Sequence, residues 1–193
     1  AAYQKAGKNK EALEACQRAI ALAPQNTSAH AQIALLHEHE GDSQAAAKEL
    51  EWLAFDALKQ DDVSRAEACI KRALALGEVA SYRLHCTYGE ILEKQELPAE
   101  AMEQLLLAAR MALAQGNPSD ALACLEKASA LAPEHIGLKR QLIQLYRACG
   151  QPDEAHDESL RLGAALAGQG LLEEACAIFT ALVAENPTCK QTR

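Results

Sequence analysis

The side chains best suited to chemistry in this chain are its histidines and cysteines, and their spacing argues against a reaction centre. His37-Glu38-His39-Glu40 is the nearest approach to a metal-binding string. Residues two apart on a helix project about 200° from one another, so His37 and His39 cannot share one ion unaided. The string reads as an exposed polar helix end. His30 and His85 open helical patterns, where an imidazole body can fill an apolar gap. The seven cysteines (Cys16, Cys69, Cys86, Cys124, Cys149, Cys176 and Cys189) are odd in number and form no Cys-x-x-Cys pair. Cys16, Cys69, Cys124 and Cys176 each follow an alanine early in a helical segment, which predicts one repeated structural position. Cys149 and Cys189 have no activating neighbour in sequence and read as inert. There is no Gly-rich phosphate loop, no Gly-x-Ser-x-Gly and no His-Glu-x-x-His. The sequence therefore offers no catalytic residue, no metal ligand and no cofactor site, and we expect no enzyme here.

Composition narrows the partner. The 193 residues are 49% apolar but only 4% aromatic. Ala and Leu dominate, the residues that favour and closely pack helices. A net charge of −8 and a pI near 5.3 disfavour nucleic acid, whose phosphates need concentrated Lys and Arg. Lys5/Lys8/Lys10 and Lys139/Arg140 read as solvated helix faces. No stretch reaches the roughly 20 apolar residues of a membrane span. Free thiols suit a reducing compartment, so the expected location is the cytoplasm.

The elements that must position any site come from a repeat. Ala12, Ala66, Ala121 and Ala175 are spaced by 54, 55 and 54 residues, and Ala46, Ala101 and Ala155 by 55 and 54. Gly7, Asp61, Gly116 and Gly170 keep the same step, and Pro24, Pro133 and Pro187 close the units, with Glu78 in the remaining closing position. A fixed period of this size means stacked units that cannot bury their own apolar faces alone.

Three helices fit each period: 28–40, 43–60 and 63–76; then 80–94, 98–115 and 118–131; then 136–149, 152–168 and 171–185. A remnant of about 1–6 and 9–22 precedes them, giving about eleven helical segments. Turns fall at Gly41-Asp42, Asp61-Asp62, Gly116-Asn117-Pro118, Gly150-Gln151-Pro152 and Gly170. Pro118 and Pro152 fit a first helical position, where the missing N–H costs nothing. The extra residue of the 55 step is placed near Gly77–Ser81. The domain reading is one solenoid over 1–193, with a partial module 1–26 and modules of about 27–79, 80–135 and 136–187. Because the chain opens inside a repeat, it is read as a fragment of a longer one.

The register resembles that of the tetratricopeptide-repeat family. Residues 136–150 give Leu142, Tyr146 and Gly150, followed by Ala155 and Leu162; residues 81–101 give Tyr88-Gly89, Leu92 and Ala101. Residues 27–53 give Ile33-Ala34, Gly41, Ala46 and Leu53, and the remnant gives Tyr3, Gly7, Ala12, Ala19 and Pro24. His30 and His85 occupy the family's large-residue position, which favours packing over ligation. The departure is in the spacing, which alternates between 34 or 35 and 20 instead of repeating at 34. The middle helix of each module is therefore expected to serve two repeats at once. Ala46, Leu50, Leu53 and Ala57, and likewise Ala101, Leu105, Ala108 and Ala112, supply its apolar stripe.

The resemblance implies an all-α fold, an antiparallel helical solenoid of superhelical type, and a protein–protein interaction scaffold that presents a curved helical surface to a peptide or protein. First-helix faces line the family's peptide groove. The matching positions are Ala31, Gln32 and Leu35; Arg83, Thr87 and Glu90; and Arg140, Gln141 and Gln144. Some members clamp a chaperone's C-terminal carboxylate with inward Lys and Asn, but Ala31 and Leu35 do not fit that role. Trp52 and Phe55 have two readings: the first is that their face packs on a neighbouring module, and the other is that it forms an exposed aromatic patch, a second candidate surface for a partner. They lie away from the apolar stripe, and their equivalents vary: Leu107 and Arg110, then Arg161 and Ala164. Two alternatives stand beside the scaffold reading. One is a regulatory or substrate-docking segment of an enzyme outside these residues. The other is self-association through solenoid ends, where Leu171, Leu172, Cys176, Ile178, Phe179, Leu182 and Val183 crowd the last helix.

Overall fold

The computed structural model describes residues 9–77 and 81–185. Among these residues it contains ten α-helices and no strand. Asn9–Leu22 forms α1. Module one holds α2 (Thr27–Glu40), α3 (Ser43–Lys59) and α4 (Val63–Ala75). Module two holds α5 (Tyr82–Lys94), α6 (Pro98–Ala114) and α7 (Pro118–Leu131), and module three holds α8 (Ile136–Ala148), α9 (Pro152–Gly168) and α10 (Leu172–Glu185). The fold is an all-α antiparallel helical solenoid, and the ten helices match the expected segments to within two residues. The expected segment 1–6, Glu78, Pro187 and Cys189 lie outside the described residues, as does most of the Gly77–Ser81 insertion.

Helix starts repeat with varied chemistry. Asn26, Ser81 and His135 cap the first helices, each accepting from a backbone N–H of the first turn at 3.1–3.2 Å. Asp42 and Asp62 do the same for α3 and α4. Module two replaces both aspartates by proline starts, Pro98 and Pro118, and Pro152 opens α9. The turns that enter and leave each middle helix take a left-handed residue. Gly41 and Gly150 supply it after α2 and α8, but the equivalent Glu96 adopts φ 60°. Asp61 does likewise at φ 58°, where Gly116 and Gly170 stand in the other copies.

The chain divides into two compact units, one up to Gln104 and one from Leu105. In the first, α3 packs against α2 and α4, and α5 packs on α4 and α3. Its core gathers Leu50, Leu53, Ile70, Leu84 and Ile91 around Ala34, Ala47, Ala54, Ala57, Ala66 and Ala73. In the second, α9 packs against α8 and α10, around Ile143, Leu162, Leu166 and Ala175. The middle helices α3 and α9 thus have a partner on each side, as the doubled apolar register requires.

One contact in the second unit departs from its copies. Ala54 and Ala109 of the middle helices correspond to Gly163, while Ile70 and Leu125 of the third helices correspond to Phe179. A β-carbon on Gly163 would stand 2.6 Å from the tip of the Phe179 ring, well inside contact distance. The larger ring and the missing methyl are complementary. We expect Gly163→Ala to destabilise the chain by about 1–3 kcal/mol through overpacking, despite alanine's better helix propensity. Adding Phe179→Leu should restore most of that loss. Urea midpoints of the two single variants and the double variant measure it, and an additive cycle would refute the pairing.

Candidate functional site

A buried polar crossbar joins the first and middle helices of each module. Its members are always 19 residues apart. In module one His30 Nδ1 lies 2.6 Å from Glu49 Oε2, and in module two His85 Nδ1 lies 2.8 Å from Gln104 Oε1. In module three Lys139 donates from Nζ to Glu158 Oε1 at 3.1 Å. The 55- and 54-residue steps place 30, 85 and 139 in one column and 49, 104 and 158 in another. A residue three places after the second column joins two of the crossbars. Trp52 stacks on His30, with ring centroids 3.6 Å apart and planes 18° from parallel. Arg161 donates to Glu158 at 3.0 Å. Burial without partners would cost several kcal/mol for each charge, so these pairs are obligatory once enclosed.

Outside the crossbars the candidates separate. Trp52 is half-buried against the core of the first unit, and its face is taken by His30. Phe55, one turn on, stays 52% exposed, with only the Lys59 ammonium 4.4 Å from its ring centroid. Glu51, one turn before Phe55, faces Arg83 of α5; burial pushes its carboxyl up and Arg83 partly offsets this. Arg83 is exposed and lies over the Tyr82 ring, with Nε 3.3 Å from its hydroxyl. Thr87, Glu90 and Gln32 are half-buried on α5 and α2. In the second unit Arg140, Gln141 and Gln144 are exposed on α8, but Arg140 is held by Glu174 of α10 at 2.5 Å. Tyr146 of α8 donates to Glu126 of α7 at 2.7 Å, and burial and that bond both push its hydroxyl well above the usual tyrosine range.

Two expectations need correction. Of the alanine-preceded cysteines only Cys69 and Cys124 share a position, one 55-residue step apart. Cys124 is buried, Cys16 and Cys69 are half-buried, and Cys176 is exposed. The period pairs Cys16 with Ile70, Leu125 and Phe179, and Cys176 with Leu122, so the Ala-Cys dipeptide is out of register in the first and last copies. Lys139 is not part of a solvated face; it is 5% exposed and its neighbour Arg140 alone faces water. Matching polar columns between copies would have revealed it, since His30 and His85 already occupied that column. Burial pushes the Cys69 thiol up, which keeps it protonated and unreactive.

Residues 2–55 and 53–111 match one tetratricopeptide-repeat family model, and residues 112–158 match another. Among solved structures, the chain is similar to one described as the MamA RS-1 ArsTM double mutant, at 18% identity and TM-score 0.40, covering 84% of this chain and 96% of that one. It is similar to YrrB, described as a tetratricopeptide-repeat protein with an unusual peptide-binding site, at 15% identity and TM-score 0.30, covering 91% and 87%. It is also similar to a chain of the Cut9–Hcn1 hetero-tetramer of the APC/C, at 14% identity and TM-score 0.32; 90% of this chain is covered, but only 40% of that chain's length. No curated protein matches.

The module-three crossbar sets a measurable cost. Glu158→Ala strands the Lys139 ammonium in the interior and should cost about 3–5 kcal/mol. Replacing both Lys139 and Glu158 with leucine should return most of that stability. Urea unfolding of the three variants tests it, and a harmless Glu158→Ala would show that the pair is not obligatory.

Proposed function

From the premise that the chain belongs to the tetratricopeptide-repeat family, a family of protein-interaction scaffolds, we propose that it binds a protein or peptide partner and performs no chemistry itself. The observation that carries this reading is Phe55. It is a large aromatic side chain left in water on a helix whose other apolar residues are buried or half-buried. Its column varies between modules (Phe55, Arg110, Ala164) while the stacking columns stay apolar, as expected of a position that serves recognition rather than assembly. Arg83 and Thr87 on α5 add hydrogen-bonding groups to this surface of the first unit, and Gln141 and Gln144 on α8 form a separate candidate surface of the second. Rigid helices present these groups with little loss of conformational freedom on binding. Six cysteines among the described residues are free thiols, which supports a reducing compartment such as the cytoplasm. Among those residues no helix is long and apolar enough to cross a membrane.

The test is affinity capture from the source cell's lysate. Wild type is compared with Phe55→Ala and with Gln141→Ala/Gln144→Ala, after circular dichroism shows that each is folded. Trp52 is left intact because it packs against His30. A partner held by wild type and lost by Phe55→Ala would support binding through α3. Equal recovery with every variant would reject this surface.

The second reading is self-association. On α10, Leu172, Cys176, Phe179 and Val183 form an exposed apolar stripe, with Leu172 62% and Phe179 38% exposed. On α7 the counterparts of Cys176 and Phe179, Leu122 and Leu125, are buried. Sedimentation over a wide concentration range should show reversible association that Leu172→Glu/Val183→Glu abolishes. A monomer at the highest concentration would end this reading.

A further inference from the structure

We propose that the His30–Glu49 pair is a proton-dependent clasp that fastens the α1–α2 turn to module one. His30 is buried, and both of its ring nitrogens meet acceptors. Nδ1 lies 2.6 Å from the Glu49 carboxylate, and Nε2 lies 3.2 Å from the Pro24 carbonyl oxygen. A neutral imidazole has a single N–H and can serve only one of them. Making both bonds therefore takes one proton more than a neutral ring beside a carboxylate. The proton sits either on the ring, as imidazolium, or on Glu49, which then donates to Nδ1. When that proton leaves, one contact must fail: with the remaining N–H on Nε2 the Nδ1 lone pair faces the carboxylate, and with it on Nδ1 the Nε2 lone pair faces the Pro24 oxygen.

The other modules show that this demand belongs to module one alone. In the His85–Gln104 crossbar the partner is an amide, which can offer either its oxygen or its NH2 group, so a neutral ring is satisfied. In module three, Lys139 and Arg161 donate to Glu158, so every donor meets an acceptor without an imidazole. The groups facing His30 are Glu49 and the Trp52 ring from α3, and the Pro24 carbonyl from the α1–α2 turn. Among the described residues no other charged side chain hydrogen-bonds or ion-pairs with it. The clasp is complete in acid and is lost as pH rises and the pair sheds its proton. It thereby ties the seating of the α1–α2 turn on module one to the protonation of the pair.

Trp52 is the chain's single tryptophan and touches the titrating ring, so its fluorescence reports the event directly. The experiment follows Trp52 emission and the urea midpoint of the full chain from about pH 5 to 8. Wild type, His30→Gln, Glu49→Gln and His85→Gln are compared. Wild type should show emission quenched in acid and recovering along a one-proton curve. Its urea midpoint should fall with rising pH relative to Glu49→Gln. His30→Gln and Glu49→Gln should flatten both curves, and His85→Gln should leave the emission curve unchanged. Glu49→Gln reproduces the His–amide pair that module two already houses, so it tests the clasp even where His30→Gln fails to fold. A flat wild-type curve, an unaltered curve in Glu49→Gln, or loss of the curve in His85→Gln would each overturn the proposal.

Discussion

Each unit of the structure depends on a helix that must be covered on two sides. In α3 and α9 both flanks are occupied by other helices, so close approach is needed twice within 17 residues. Small residues meet that demand. Ala46, Ala54 and Ala57 on α3, and Ala155 and Gly163 on α9, are enclosed where a longer side chain would hold the neighbours apart. Leucines placed between them fill the space, each fully buried one contributing about 1.5–3 kcal/mol. The alternation of 34- and 20-residue steps is the sequence form of this sharing.

Covering a helix on two sides also traps whatever polar groups lie on it. The three crossbars are three ways of meeting one requirement: a buried polar atom on the first helix must find its complement on the middle helix. A histidine and a carboxylate, a histidine and an amide, and a lysine bracketed with arginine around a carboxylate all satisfy it. They differ in what they do with charge. The carboxylate of module three is balanced by two cations, whereas the amide of module two needs none. Such pairs add less to stability than an apolar filling of the same volume, but they penalise any misregistered packing that separates the partners.

Most of the fold was legible in the residues because it depends on short-range signals. Alanine columns gave the period, proline starts and glycine ends gave the helix bounds, and the doubled stripe on 43–59 predicted the shared helix. What escaped depended on contacts distant in sequence. Lys139 beside Arg140 reads as a basic surface until the 19-residue reach to Glu158 is known. Trp52 and Phe55 are three residues apart and seem one patch, yet only the first meets His30. Glu96 gave no hint of a left-handed backbone, because its own chemistry disfavours one and only its equivalence to Gly41 and Gly150 exposes the role. The candidate surface was visible as a set of variable columns; which of them are spent on packing was not.

The fit of Phe179 against Gly163 bears on how such an array can be inherited. In every other copy the corresponding pair is alanine against isoleucine or leucine. A genetic exchange between copies with its breakpoint between codons 163 and 179 would set the phenylalanine ring against a methyl group, or leave a hollow opposite the glycine. Exchanges that move both positions together leave the seam intact. An exchange that carries residues 163–179 together therefore leaves this seam undisturbed, just as one that carries 139–158 together keeps the Lys139–Glu158 pair matched.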